Sequence, residues 1–264
     1  MFPPTVLLDL DGVVWLAHQA IPGSPDAIAA LRAAGRRVLF VTNNSASTRA
    51  QQEQALAAIG IEAVGDVISS AMAAALLVEP GERVFVCGGP GIEEALAERG
   101  AEVATDGHFD AVMVGFDRSF TYERLRTAAT AVHRGARLIG TNDDATFPTP
   151  DGPIPGGGAI LAAVIVGSGG ATATVAGKPH GPMAALVRAV VGDAAARAAV
   201  MVGDRPSTDG LFARELGCAY AQVWSGVTRS GTLIDPVPDL VGDDLHSIAM
   251  QLLGGTPERG IAGQ

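Results

Sequence analysis

The stretch that decides the fold lies near the start of the chain and reads Thr5-Val6-Leu7-Leu8-Asp9-Leu10-Asp11-Gly12. Its first four residues predict a buried strand, and two carboxylates follow where that strand ends. In open α/β folds, ligands bind at the carboxyl ends of parallel strands. The stretch therefore places Asp9 and Asp11 where chemistry is expected, and the Gly12 turn decides how the two side chains converge. Paired acids in a turn also commonly cap a helix, so the pair alone does not establish a catalytic site.

The composition is that of a globular protein of one large domain or two smaller ones. The 264 residues are 48% hydrophobic and 17% charged, and 18 basic against 28 acidic side chains give a net charge of −10. No run of basic residues occurs, so we expect no nucleic-acid partner. The two cysteines, Cys87 and Cys218, do not have the spacing of a disulfide framework or a zinc site, and a reducing cytoplasm is the expected location.

Nothing in the sequence predicts insertion into a membrane. The first residues do not form a basic segment followed by an apolar one. The longest apolar stretch, near 159–166, is well short of the roughly 18 residues of a membrane span. We therefore expect no membrane partner.

Strand-like runs alternate with alanine-rich helical stretches along the chain. Strands are predicted at 5–8, 37–41, 66–69, 83–87, 111–114, 137–140, 172–176, 199–202 and 219–223. Helices are predicted at 24–34, 47–59, 71–79, 91–99, 121–133, 158–166, 181–191 and 207–216. This alternation is typical of an α/β fold with parallel strands and right-handed crossovers. The loop 141–158, rich in Pro, Gly and Asp, is too long for a simple connection and predicts a functional segment or a domain boundary.

Polar residues follow three further predicted strands, as they follow the first. They are Thr42-Asn43-Asn44-Ser45, Lys178, and Asp204-Arg205 with Asp209. If all four strands lie in one parallel sheet, a hydroxyl, an ammonium group and more carboxylates gather around Asp9. Each polar residue could instead cap the following helix. Lys178 fits that reading poorly, because an ammonium group is unfavourable at the positive end of a helix unless an anion binds there.

This set of side chains meets the physical demands of phosphoryl transfer. A carboxylate can attack phosphorus and form an aspartyl-phosphate, which divides hydrolysis into two displacements. The charge of the transferring group must then be neutralised by Mg²⁺, a lysine and hydroxyl or backbone donors. Mg²⁺ binds few carboxylates and keeps several waters, which is consistent with Asp9 and Asp204 as its ligands. Asp11 would be free to act as general acid and base.

Four motifs, in chain order, resemble those of the haloacid dehalogenase-superfamily phosphatases, most closely the NagD, 4-nitrophenylphosphatase and phosphoglycolate phosphatase branch. They are Asp9-Leu10-Asp11-Gly12-Val13, Thr42-Asn43-Asn44, Gly177-Lys178-Pro179, and Gly203-Asp204-Arg205 with Thr208-Asp209. The resemblance implies an α/β fold with a doubly wound, Rossmann-like parallel-sheet core and a smaller inserted α/β cap. It implies that residues 1–79 and 175–264 form the core and that 80–174 form the cap.

The resemblance also implies roles for the acidic motif residues. Asp9 would be the nucleophile, and Asp11 would be the general acid and base. Mg²⁺ would be bound by the Asp9 and Asp204 carboxylates and by the backbone carbonyl of Asp11. Asp209 and Arg205 would lie behind these ligands and support them.

The remaining motif residues would hold the substrate. By the same resemblance, Thr42, Asn43 and Lys178 would bind the phosphoryl group. Asn142 or Asp144, in a segment that resembles the family's Thr-Asn-x-Asp, would face the leaving group. A hydrogen-bonding role of these two side chains within their own loop is an equally open reading.

The resulting hypothesis is a Mg²⁺-dependent phosphatase that acts on a small phosphorylated metabolite. Phosphoglycolate, glycerol phosphate, a sugar phosphate, pyridoxal phosphate and 4-nitrophenyl phosphate are all candidate substrates. Two alternatives use the same fold: a phosphomutase or phosphotransferase, and a phosphate-binding module without turnover. Pairing of two copies through exposed apolar surface of the cap is also open, and no sequence pattern decides it.

Overall fold

The computed structural model describes residues 3–147, 149 and 152–254, so three residues of the predicted loop 141–158 lie outside the described part. The strands, in chain order, are β1 (Thr5–Leu8), β2 (Trp15–Leu16), β3 (Gln19–Ala20), β4 (Arg37–Thr42), β5 (Val67–Ser69), β6 (Arg83–Cys87), β7 (Glu102–Val103), β8 (Ala111–Val114), β9 (Arg137–Gly140), β10 (Thr146–Phe147), β11 (Ile154–Pro155), β12 (Ala173–Val175), β13 (Val200–Gly203), β14 (Ala219–Val223) and β15 (Leu240–Gly242). The helices are α1 (Ser24–Ala33), α2 (Arg49–Ala58), α3 (Ser70–Ala75), α4 (Pro90–Arg99), α5 (Tyr122–His133), α6 (Gly157–Gly167), α7 (Gly181–Val191), α8 (Asp193–Arg197), α9 (Leu211–Leu216) and α10 (Leu245–Leu252). A π-helical turn, Pro206–Gly210, precedes α9.

The chain divides into two compact units. The first unit consists of Met1–Phe40, Leu56–Asp66 and Val191–Gln264, and the second of Val41–Ala55 and Val67–Val190. Parallel strands alternate with helices in both, which confirms the predicted α/β class. The predicted boundaries of core and cap stay a prediction. Within the described residues, no helix is both long enough and apolar enough to cross a membrane.

In the first unit, strands lie side by side in the order β15, β14, β13, β1, β4, and all of these pairs are parallel. All four residues of β1 and of β13 are buried, as expected for central strands covered on both faces. From β1 the chain continues to β4 on one side, whereas β13 is followed by β14 and β15 on the other. The strand order therefore reverses between β1 and β13, and open α/β sheets bind ligands at such a reversal.

The second unit has its own parallel sheet, in the order β12, β9, β8, β6, β7. Side chains of α5 and α6 pack with those of the central strands in one apolar core, which includes Val112, Val114, Leu161 and Val164. In the sequence analysis, the strand that precedes Lys178 shares one sheet with β1 only as a condition. That condition is not met, because β12 pairs with β9. The side chains of β12 are half-buried or exposed, so their pattern alone does not specify a partner strand.

Candidate active site

Two carboxylates stand at the ends of the two strands where the order reverses. Asp9 follows β1 and Asp204 follows β13. These strands pair in register, with Leu8 opposite Val202, and the Asp9 backbone N–H donates to the Val202 carbonyl at 3.0 Å. The sheet itself therefore brings Asp9 and Asp204 together.

A third acidic side chain completes what we call the carboxylate cluster: Asp9, Asp204 and Asp209 each present an oxygen, and these oxygens lie within 4.8 Å of one another. Asp204 and Asp209 are buried, and Asp9 is half-buried. Like charges this close repel unless a cation or protons neutralise them. Carboxylate oxygens are the ligands that Mg²⁺ and Ca²⁺ prefer, so the cluster fits a divalent cation. Asp209, expected only to support the ligands, is thereby a candidate ligand as well.

The Asp204 carboxylate is held by a loop that the sequence analysis missed. The Val227 N–H donates to Asp204 Oδ2 at 2.6 Å, and the Gln222 side chain donates to the Asp204 carbonyl at 2.9 Å. A Cβ atom at Gly226 would lie 2.0 Å from Asp204 Oδ2, so only glycine leaves room for the carboxylate. The loop 224–227 follows β14, and a search for polar residues after every predicted strand would have found it.

The turn after β1 fixes the position of Asp11. Trp15 Nε1 donates to Asp11 Oδ1 at 3.1 Å, and Ser225 Oγ donates to the Gly12 carbonyl at 2.7 Å. Gly12 has a φ of +89°, and a Cβ atom there would lie 2.6 Å from Asp204 Oδ2. Both its conformation and its close contact therefore require glycine. The buried Trp15 is a second residue of the candidate site that the sequence analysis did not single out.

Asp209 comes from the π-helical turn Pro206–Gly210, where the sequence predicted the first turn of an α-helix over 207–216. Its Oδ2 accepts a hydrogen bond from the Arg205 N–H at 3.2 Å, and its own N–H donates to the Arg205 carbonyl at 2.7 Å. Short π-helical segments occur often at functional sites, because the extra residue redirects a side chain. Here the turn directs a buried carboxylate into the cluster.

Hydrogen bonds behind the cluster tie it to β14. The Tyr220 hydroxyl donates to Gln222 Oε1, and Gln222 Nε2 donates to the Asp204 carbonyl. Burial raises the pKa of the Tyr220 phenol well above its ordinary value, and the negative charges of the carboxylate cluster raise it further. The phenol therefore stays protonated through the neutral range and keeps donating.

A second group of polar side chains lies at the carboxyl edge of the second unit's sheet. The Lys178 N–H donates to Asn43 Oδ1 at 2.8 Å. Asn43 Nδ2 donates to the Lys178 carbonyl and to Asp144 Oδ2, both at 2.9 Å. Asn142 Nδ2 donates to the Asn43 carbonyl at 2.8 Å, and its Oδ1 accepts from the Asp144 N–H at 3.2 Å. The structure thus brings these four predicted residues together, and Asn142 also bonds within its own loop.

Thr42 and Lys178 carry hydrogen-bond donors of the kind that an anionic oxygen requires. Both residues are buried. Thr42 Oγ1 accepts from the Asn44 N–H at 3.0 Å, so its hydroxyl keeps a hydrogen to donate. Lys178 contributes an ammonium group.

A side-chain hydrogen bond and two closely packed glycines hold the segment 42–45 against the sheet of the second unit. Ser45 Oγ and Thr141 Oγ1 are 2.8 Å apart and share a hydrogen bond. A Cβ atom at Gly115 would lie 2.5 Å from Ser45 Oγ, and one at Gly177 would lie 2.5 Å from Asn43 Oδ1. Gly115, which follows β8, and Gly177, which precedes Lys178, therefore permit this approach.

The residues predicted from the sequence fall into two groups, one in each unit. The first unit holds Asp9, Asp11, Asp204, Arg205 and Asp209, and the second holds Thr42, Asn43, Asn142, Asp144 and Lys178. Their action as one site stays a prediction, as do the individual roles.

Comparisons with known proteins agree with the motifs. A family model described as haloacid dehalogenase-like hydrolase matches residues 6–102, and a related HAD-hydrolase-like model matches 175–248. An acid sugar phosphatase from Staphylococcus aureus is 35% identical over 226 residues, which cover 84% of this chain and 86% of that protein.

Solved structures of phosphatases also have a similar fold. A p-nitrophenyl phosphatase from Archaeoglobus fulgidus has a TM-score of 0.88 and 28% identity, and the match covers 95% of this chain and all (100%) of that one. A glycerol phosphate phosphatase from Mycobacterium tuberculosis, solved in complex with calcium, has a TM-score of 0.83 and 30% identity over 92% of this chain and 74% of that one. The chain belongs to the haloacid dehalogenase-like hydrolases and groups with the phosphatases of that family.

Proposed function

We propose that this enzyme is a Mg²⁺-dependent phosphomonoesterase that hydrolyses a small phosphorylated metabolite through an aspartyl-phosphate on Asp9. The observation that carries the proposal is the carboxylate cluster at the reversal of strand order. The named relatives point to sugar phosphates, glycerol phosphate and 4-nitrophenyl phosphate as the first substrates to assay.

The proposed reaction has two displacements. In the first, a carboxylate oxygen of Asp9 attacks phosphorus, the ester P–O bond breaks, and the leaving oxygen takes a proton from the Asp11 carboxyl group. In the second, the Asp11 carboxylate takes a proton from a water molecule whose oxygen attacks phosphorus. The bond between phosphorus and Asp9 then breaks, which releases inorganic phosphate. The hydrogen bond from Trp15 keeps the Asp11 carboxyl group in one orientation during both proton transfers.

Charge neutralisation is shared among the chain's own groups and a metal. The Thr42 hydroxyl and the Lys178 ammonium group donate to phosphoryl oxygens. The oxygens of the carboxylate cluster would hold Mg²⁺, which when bound supplies the positive charge that lets an anionic nucleophile approach an anionic ester. Removal of the metal should therefore abolish turnover.

The test measures phosphate release from 4-nitrophenyl phosphate with Mg²⁺, for the wild type and for Asp9→Asn. We expect turnover by the wild type, none by Asp9→Asn, and wild-type turnover by the control Asp106→Asn, whose carboxylate is 95% exposed in the second unit. Undiminished turnover by Asp9→Asn would exclude the mechanism. Preferential transfer to an added sugar would favour the phosphotransferase alternative, and tight phosphate binding without release would favour the binding module.

A further inference from the structure

The side-chain amide of Asn43 has its hydrogen-bonding groups engaged inside the second unit. A primary amide offers two N–H hydrogens and one carbonyl oxygen. In Asn43 the oxygen accepts from the Lys178 N–H, and the hydrogens go to the Lys178 carbonyl and to Asp144 Oδ2. Because Lys178 presents one backbone donor and one backbone acceptor, the orientation of the amide is fixed.

The donor that Asn43 can offer to a phosphoryl oxygen is therefore its backbone N–H. Among the described residues this N–H has no acceptor. The backbone carbonyl, in contrast, accepts from both Asn142 Nδ2 and Ser70 Oγ, each at 2.8 Å. Main chain and side chain of Asn43 are thus held from several sides, while one N–H stays available.

The pair of bonds between Asn43 and Lys178 joins segments that are 135 residues apart in the chain. The pair of bonds holds both the N–H and the carbonyl of the Lys178 backbone. The position from which the lysine side chain extends is therefore fixed. The third bond fixes the Asp144 carboxylate relative to the same amide. Gly177 permits the approach, since a Cβ atom there would lie 2.5 Å from Asn43 Oδ1.

We infer that Asn43 is a positioning residue. Its side-chain amide holds the Lys178 backbone and the Asp144 carboxylate in one arrangement, and this side chain does not itself bind the phosphoryl group. This inference rests on the proposed function, in which the Lys178 ammonium group meets the phosphoryl charge. Groups that act in a transition state lose much of their effect when they are displaced by an ångström.

Asn43→Asp tests the inference with little change of shape. The new carboxylate still accepts from the Lys178 N–H, but it presents an acceptor where the amide donated to the Lys178 carbonyl and to Asp144. The matched control is Asn44→Asp, since Asn44 Oδ1 only accepts, from the Ala46 and Ser47 N–H groups at 3.0 and 3.4 Å. A carboxylate can accept both bonds, and it adds the same charge at the adjacent position.

With 4-nitrophenyl phosphate and Mg²⁺, we expect kcat of Asn43→Asp to fall by roughly a hundredfold, the size expected for a displaced catalytic group. Asn44→Asp should lose far less, although it carries the same added charge. Equal losses in the two variants would overturn the inference, and so would a kcat of Asn43→Asp equal to that of the wild type.

Rescue provides a readout that a merely structural role would not give. In Asn43→Asp combined with Asp144→Asn, the new amide at position 144 can donate to the new carboxylate at position 43. We expect kcat to recover by about tenfold, as regaining a charge-assisted hydrogen bond predicts. A double variant no faster than Asn43→Asp would contradict the inference.

Calorimetric titration with inorganic phosphate and Mg²⁺ separates this inference from the proposed function. A wild type that binds phosphate without turnover would refute the proposed function alone. Weaker phosphate binding by Asn43→Asp than by Asn44→Asp would then support the inference, and equal binding would overturn it.

Discussion

Trp15 donates its indole N–H to the carboxylate of Asp11, four residues earlier, at 3.1 Å. The ring is buried, with 2% of its surface exposed, so the donor cannot move far from its acceptor. The strand β1 and the turn after it thus place a carboxyl group and also determine its orientation.

Replacing this donor should slow the reaction without loss of the fold. Trp15→Phe keeps a buried aromatic ring and removes the N–H. A hydrogen bond to a charged group contributes about 1.5 kcal/mol or more, so we expect kcat with 4-nitrophenyl phosphate to fall about tenfold. The control is Tyr122→Phe, which removes the hydrogen-bond donor of an exposed aromatic side chain at the start of α5 and should retain kcat. A Trp15→Phe enzyme as fast as the wild type would show that Asp11 needs no such support.

The carboxylate cluster should make thermal stability depend on divalent cations. A ligand that binds only the folded state raises Tm as its concentration rises. We expect Mg²⁺ to raise the Tm of the wild type and to raise that of Asp204→Asn much less, because the variant loses one charged ligand. Differential scanning calorimetry with and without Mg²⁺ measures both shifts. Asp106→Asn should respond as the wild type does, and an equal Mg²⁺ response from Asp204→Asn would argue against a metal at the cluster.

Gly226→Ala should disturb the same cluster by steric contact alone. Its Cβ atom would lie 2.0 Å from Asp204 Oδ2, so the carboxylate or the loop must shift. Changes behind a metal ligand typically cost about tenfold to a hundredfold in metal affinity or activity. We expect a loss of that size in kcat/KM and a higher Mg²⁺ concentration for half-maximal activity.

Gly167→Ala is the control for this substitution. Gly167 is the exposed last residue of α6, and its new Cβ atom would meet the Ala129 Cβ at 3.3 Å. We expect wild-type kinetics from this variant. Wild-type kinetics from Gly226→Ala would show that the loop 224–227 can shift without any effect on the reaction.

The two cysteines predict a loss of stability in alkaline solution. Burial raises the pKa of the Cys87 thiol and of the Cys218 thiol to about 11 each, whereas a thiol in the unfolded chain titrates near pH 8.5. Between these values the unfolded chain releases protons that the folded chain retains, so the free energy of unfolding falls as pH rises. Urea unfolding at pH 8 and at pH 10.5 measures the fall. The combined variant Cys87→Ala and Cys218→Ala should show a smaller decrease in the free energy of unfolding between these pH values. A decrease as large as that of the wild type would show that other groups cause it.

The sequence predicted those elements whose own residues specify them. Strands β6, β8, β9 and β14 and helix α7 have the predicted bounds, because each is a compact apolar run between turn residues or an amphipathic segment of full length. It missed strands of two residues, such as β10 and β11, which are too short to have a period. It also missed α10, although Asp244 and Ser247 form a capping box that marks its start.

Some residues of the candidate site could likewise be predicted from the sequence, and others could not. The motif residues after β1, β4 and β13 could be recognised because a strand followed by a polar residue is a local pattern. The sheet that β12 joins could not be recognised from the sequence. This strand is short and its side chains are half-buried or exposed, so its pattern does not specify a partner strand. Val227 and Ser225 were missed because their contacts with Asp204 and Gly12 depend on how distant segments pack.

By itself, the sequence determined the α/β class, the family and which reactive groups stand at strand ends, because each follows from neighbouring residues and their spacing. Only the tertiary structure decided that Asp209 joins the carboxylate cluster and that the Asn43 amide is engaged by Lys178 and Asp144, which lie 135 and 101 residues away. Hydrogen-bond partners at such separations are set by the packing of whole sheets and loops, and no local pattern encodes them.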